Sequence, residues 1–368
     1  PGNVVTIDGE NKMRISNISL AFPNLLTIEA SAEEPGSYVS ANTAETPYLP
    51  VQEVADVCPV GFIMMELPAL DGVHAAPGFY LAVYTQSSGF KSAAVYRSLD
   101  AGASWDLVQG VQALSLVGKT TNVLGSGPVN VVDEGNAVNV ELDTINGDLS
   151  GTTDLSMFAG KNTAAIGDAG RWEIVSFGDV TQEADGTYTL SDLVRGRRGT
   201  EHNVGNHAVS DRFILLEENR LVFIPVPEDK IGATVQYRVV SSGLSLQDAT
   251  PTGFVCNGEN LRPYSPAHIT GTRDADGNLT IDWVRRSRSS MGWNTGRVPI
   301  VEELEQYEID IMDGGTVVRT ITVNDTTGYT YTDTDQVADF GATQSSVTVR
   351  IYQISATVGR GHEAEATI

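Results

Sequence analysis

The sequence predicts an all-β chain of sandwich or barrel domains arranged in tandem. Short runs of alternating apolar and polar residues recur along its whole length, and a period of two belongs to strands. The chain has 37 glycines, and steps such as Asp276-Gly-Asn278 and Asp313-Gly-Gly315 mark turns between those runs. An apolar share of 41% against 19% charged residues suits packed domains rather than disorder, and 368 residues suffice for two or three of them.

Residues 1–40 read as the end of a preceding β-domain. The runs 4–7, 14–18 and 25–30 alternate in strand fashion, separated by Asp-Gly or Pro breaks. Because Pro1 stands where a Met would start a protein, we expect the C-terminal portion of a longer polypeptide. Residues 41–59 form an extended connector, since Pro47, Pro50 and Pro59 remove backbone donors and favour extended backbone.

Residues 60–260 form a β-rich middle domain. Runs 79–84 and 92–97 flank a Ser-Ser-Gly turn and read as a hairpin, followed by a polar turn over 98–105. Further strands are expected at 136–142, 173–177, 187–190, 213–216, 220–224 and 234–240. A short helix fits 154–159, with Thr153 or Asp154 as its cap and Gly160 as its stop.

Residues 261–368 carry the cleanest alternation. Leu279, Ile281 and Trp283 share one face of a strand, and Tyr307, Ile309 and Ile311 share another. With Val349, Ile351 and Ile354 they supply one apolar interior. A tryptophan in the second strand, a Tyr-x-Ile-x-Ile strand and a late strand closed by Gly359-Arg-Gly361 resemble a fibronectin type III domain. The departure is an insertion over 285–303 that carries Arg285, Arg286, Arg288, Met291, Trp293 and Arg297. Arginine, methionine and tryptophan are enriched where proteins meet partners, so these residues are a candidate interface that serves contact rather than folding.

One segment has chemistry opposite to the rest. The chain carries a net charge of −24, yet Arg195, Arg197 and Arg198 fall within four residues between and beside Gly196 and Gly199. Glycine allows tight turns, and arginine supplies planar charged forks that pin carbonyls and carboxylates. A structural clamp is the expected role, ahead of an anion site, because one basic cluster in an acidic chain makes a poor phosphate-binding surface.

The run Leu193-Val-Arg-Gly-Arg-Arg-Gly-Thr-Glu201, followed by Asn206, His207 and the apolar run 213–216, resembles the large tail-tip proteins of long-tailed bacteriophages. It is most similar to the baseplate megaprotein of gene transfer agents. Pro1-Gly-Asn-Val-Val5 with 13–16, residues 94–102 with Trp105, and 158–164 with Trp172-Glu-Ile174 resemble further stretches of that family. The resemblance implies a structural part of the distal tail hub in a virion-like particle. It implies other tail and baseplate proteins as partners, a homotrimer about the tail axis, and contact with a host receptor or glycan. It also implies a place on the DNA exit path, which the chain's net negative charge would suit, because like charge repels nucleic acid.

The remaining residues point away from chemistry. A net charge of −24 with pI near 4.4 disfavours specific nucleic-acid binding and anionic membranes. No apolar run approaches the roughly 20 residues that span a bilayer. Cys58 and Cys256 read as two buried thiols rather than a bridge. Glu302, Glu303 and Glu305 beside the insertion arginines read as salt-bridge partners rather than an acid–base pair. His202 and His207 with Asp211 lack a third nitrogen or sulfur ligand, and Asp274 to Asn278 lacks the glutamate of a calcium loop. We therefore expect no enzyme activity, cofactor or metal. The alternative is a carbohydrate-binding accessory region of a secreted hydrolase, which would need exposed tryptophans such as Trp105, Trp172 or Trp293.

Overall fold

Strand pairing in the computed structural model joins residues far apart in the chain, in an almost entirely β architecture. Residues 3–9, 11–21, 25–33, 58–72, 74–144, 147–288 and 298–368 are described. The expected connector falls outside them up to residue 57, as do Met291, Trp293 and Arg297. The chain divides into two units, Pro1–Val54 and Ala55–Ile368.

The first unit is an antiparallel meander of β1 (Val4–Ile7), β2 (Asn11–Ala21) and β3 (Leu25–Ala32). Within it Ile15 is buried, while Ile18, Leu20, Leu26 and Ile28 stay exposed. Such a sheet buries too little to hold a core by itself.

The second unit contains a sandwich with a barrel inserted into it. One sandwich sheet is β4 (Gly61–Met65), β5 (Gly78–Tyr84) and β14 (Leu221–Pro225), in the order β14-β5-β4. The other is β6 (Ala93–Ser98), β7 (Asp106–Val111), β15 (Thr234–Ser241) and β16 (Thr252–Val255), in the order β16-β15-β6-β7. Between β7 and β14 the chain forms a closed barrel. Its strands are β8 (Val117–Thr120), β9 (Val138–Leu142), β10 (Thr163–Gly167), β11 (Glu173–Gln182), β12 (Tyr188–Arg197) and β13 (Arg212–Leu215), ordered β10-β11-β12-β9-β8-β13. Helix α1 (Asp154–Phe158) starts at Thr153, whose hydroxyl accepts from the Ser156 N–H.

The expected hairpin of 79–84 with 92–97 does not form: β5 pairs with β4 and β14, and β6 with β7 and β15. The cause lies in the burial of β5. Phe79, Leu81 and Val83 enter the sandwich core, while Tyr80 and Ala82 pack on the outside of the barrel with Val117, Ala165, Trp172 and Ile214. A strand buried on both faces belongs in the middle of a sheet between two cores. The eight-residue link therefore crosses from one sheet to the other. The barrel strands alternate in the same way, with Ala164, Ile166 and Phe213 inside and Ala165 and Ile214 outside.

The terminal sandwich sets β17 (Ala267–Arg273), β18 (Leu279–Val284) and β21 (Gly328–Tyr331) against β19 (Gln306–Asp313), β20 (Thr316–Asn324), β22 (Thr348–Ser355), the two-residue β23 (Gly359–Arg360) and β24 (Ala364–Thr367). The order β17-β18-β21 facing β20-β19-β22, with β24 on the outer edge of β22, is fibronectin type III-like. Leu279, Ile281, Trp283, Tyr307, Ile309, Ile311, Val349 and Ile351 form its core. Ile354 does not join them. It differs in parity from Val349 and Ile351, so Gln353 takes the buried place and Ile354 is half-buried on the other face. Helix α2 (Asp333–Phe340), capped by Thr332 and ended by Gly341 at φ 79°, interrupts a stretch where the pattern announced no helix. Asp274 accepts the N–H groups of Asp276 and Asn278, so that segment is a hairpin turn. Both cysteines are free and buried. Among the described residues no helix is long and apolar enough to cross a membrane.

Candidate functional site

The arginine segment ends β12 and turns back along the barrel rim. Opposite Ile174 and Ser176 of β11 stand Arg197 and Val194, so β12 holds an extra residue there. That bulge turns Arg195 into the barrel. Two glycines make the return possible. A Cβ on Gly196 would lie 2.9 Å from the Glu201 Cα, and one on Gly199, at φ 84°, would enter the Tyr264 ring.

Arg195 is fully buried and anchors a chain of charged groups. Its Nε and Nη2 donate to the two oxygens of Glu173 at 2.8 and 2.9 Å. Its Nη1 donates to Asp133 Oδ2 and the Gly125 carbonyl, each at 3.0 Å. Glu173 also accepts the Gly196 N–H at 2.9 Å and lies 2.7 Å from His207 Nε2. His207 Nδ1 stands 3.2 Å from Asp211 Oδ2, and Arg171 grips both oxygens of Asp211. Glu173 and Asp211 thus flank the two ring nitrogens of His207, and the carboxylates of Glu173, Asp133 and Asp211 meet the guanidinium groups of Arg195 and Arg171 along one chain. Burial works against the charge of Glu173, but bonds from His207 and Arg195 outweigh it and hold its carboxyl below the ordinary value. Asp211 is likewise held low, burial being outweighed by Arg171 and the Ala208 N–H.

The other two arginines of the segment diverge. Arg197 donates to the Met157 and Phe158 carbonyls, closing the end of α1. Burial, then the nearby Arg198, lowers its pKa. Arg198 reaches the Ala69 carbonyl of the sandwich. Beside them opens a cavity of about 600 Å³ lined by His74, Tyr80, Leu221 and Phe223. His74 stacks on Phe223 at 4.1 Å and bonds the Tyr80 hydroxyl, which burial pushes up to about 12.

The insertion arginines that the structure describes all point inward. Arg285 is buried and donates to Glu305 at 2.8 Å and to the Val298 carbonyl. Arg286 donates to Glu201 at 2.6 Å, tying the insertion to the barrel segment. Arg288 holds both oxygens of Glu302 at 2.8 and 3.0 Å. The histidine pair His202 and His207 separates. His207 joins the charged chain, while His202 stacks on His362, 3.9 Å away, beside Glu259. Nothing local in the sequence links Glu173, Glu259 or His362 to these partners, which stand 22 to 160 positions away.

A family model described as "Rcc01698-like, C-terminal" matches residues 115–214. That span is the barrel. No curated protein matches the chain. Among solved structures, the chain is similar to the crystal structure of chicken CNTN1 FN1-FN3 domains. There the identity is 10%, the coverage 84% of this chain and 97% of that chain, and the TM-score 0.22. So loose a superposition carries no argument about function.

Proposed function

We propose that this chain is a structural component of the distal tail hub or baseplate of a phage or gene transfer agent particle. It would contribute to tail-tip assembly, host adsorption and the DNA exit path. The observation that carries this reading is a coincidence of spans. The matched family segment is the barrel, and the barrel is built around residues 193–201, the run by which the sequence resembles tail-tip proteins. The charged chain behind Arg195 supports a structural role, because its donors and acceptors are spent on one another rather than offered to a substrate. A charge of −24 suits a conduit that DNA must not stick to. The tail reading places three copies about the axis and leaves catalysis to other proteins.

Among the described residues, the tryptophans give the carbohydrate-binding alternative no support, and Trp293 lies outside them. Trp172 and Trp283 are buried, and the Arg238 guanidinium sits 4.4 Å over Trp105. The decisive experiment is electron microscopy of purified particles labelled with a gold-conjugated antibody to this chain. Label at the distal tail tip is expected. Particles that carry the protein elsewhere, or lack it, would refute the assignment.

A further inference from the structure

We propose that His202, Glu259 and His362 bind a divalent transition-metal ion of the zinc type, which fastens the terminal sandwich to the barrel. The three residues come from separate segments. His202 lies in the 3-10 turn Glu201–Asn203 after β12, Glu259 opens the turn Glu259–Leu261 between the two sandwiches, and His362 precedes β24. One ligand atom from each lies within 4.8 Å of the other two. His362 Nε2 stands 2.6 Å from Glu259 Oε1, and the His202 ring stacks on His362 at 3.9 Å, so both imidazoles present themselves beside one carboxylate. The other carboxylate oxygen, Oε2, faces Arg262 Nε at 3.3 Å, an outer contact that orients the ligand.

The donor chemistry selects the ion. Two imidazoles and one carboxylate suit zinc and its first-row neighbours, whereas magnesium and calcium prefer oxygen alone. Zinc bond lengths of about 2.0–2.2 Å need a modest opening of the His362–Glu259 pair to admit the ion. The adjoining cavity of about 280 Å³, lined by Trp172, Asn203 and Asn257 among others, leaves room for a water as fourth ligand. His207, five positions from His202, contributes nothing here because Glu173 and Asp211 occupy both of its nitrogens.

The test uses the untagged full chain, stripped with chelator. Calorimetric titration with Zn²⁺ should give one ion per chain, Co²⁺ should give a visible d–d band of low coordination number, and Mg²⁺ should give neither. His202→Gln and His362→Gln should each weaken Zn²⁺ binding at least about tenfold, while His268→Gln, which is not one of the three ligands, leaves it unchanged. If His362→Gln fails to fold, the exposed His202→Gln decides alone. Absence of a one-to-one Zn²⁺ isotherm in the parent, or unchanged affinity in His202→Gln, overturns the proposal.

Discussion

Replacing Arg195 by alanine removes four donations at once: two to Glu173, one to Asp133 and one to the Gly125 carbonyl. Glu173 and Asp133 stay buried with their charges. Breaking a buried pair from one side costs about 3–5 kcal/mol, chiefly because the abandoned charge cannot reach water. Here each carboxylate keeps other donors. Glu173 retains His207 and the Gly196 N–H, and Asp133 retains the N–H groups of Gly135 and Asn136 with the Asn136 amide. The expected loss therefore sits at the lower end, about 3–4 kcal/mol. A chain with several cores does not unfold in one step, so hydrogen exchange of amides in β10 to β13 is the suitable readout, because it confines the measurement to the barrel. Combining Arg195→Met with Glu173→Gln should recover up to about half of the loss, since it removes one of the two charges that alanine leaves stranded and Asp133 remains. A loss below about 1 kcal/mol in the alanine variant, or no recovery in the double variant, would refute the claim that buried charge pairing holds this rim.

Two further outcomes follow from the same geometry. Glu173 and Asp211 have lowered pKa values in the folded barrel, so their contribution is fully present above the ordinary carboxylate range and is lost as pH falls from there through their lowered values; barrel protection should decline below about pH 4.5, and protection that stays unchanged on acidification below that point would contradict this. Gly199→Ala forces a side chain into left-handed backbone, at about 1–3 kcal/mol, and into the Tyr264 ring as well, so it should lower the melting temperature more than Gly170→Ala, which has φ 79° but open space around it. Equal effects from the two would show that Tyr264 yields freely.

Periodicity made the terminal sandwich legible. Leu279, Ile281 and Trp283, facing Tyr307, Ile309 and Ile311, are all buried, and the rule needs nothing beyond neighbours two apart. Thr153 and Asp154 likewise marked the start of α1, and the cap is Thr153, because a cap acts over three residues. The rule also exposes where it was misapplied, since Ile354 differs in parity from Val349. What stayed hidden depends on long-range pairing. β5 reads as half of a local hairpin, but its second neighbour is β14, whose register joins Leu81 to Val222. The segment 193–201 announced a clamp through its residue types, yet its carboxylates, Glu173 and Asp133, lie 22 and 62 positions away. His202 suggested a local partner in His207, whereas the fold brings it His362 instead.

Placing a barrel inside a sandwich also dictates a timetable during synthesis. β5 and β6 leave the ribosome early, but β14 and β15, which complete their sheets, come from the far side of the insertion. The last residue of β7 is Val111 and the first of β14 is Leu221. At roughly 5–20 residues per second, the intervening stretch of about 110 residues takes roughly 5–20 s to make. Throughout that interval one edge of β5 and one of β6 lack their partners, with apolar side chains such as Phe79, Leu81 and Val95 beside them, an invitation to sticking between nascent chains. A barrel that closes on itself while the outer strands wait shortens that exposure, because it carries β14 back to the neighbourhood of β5 as soon as β13 has joined β8.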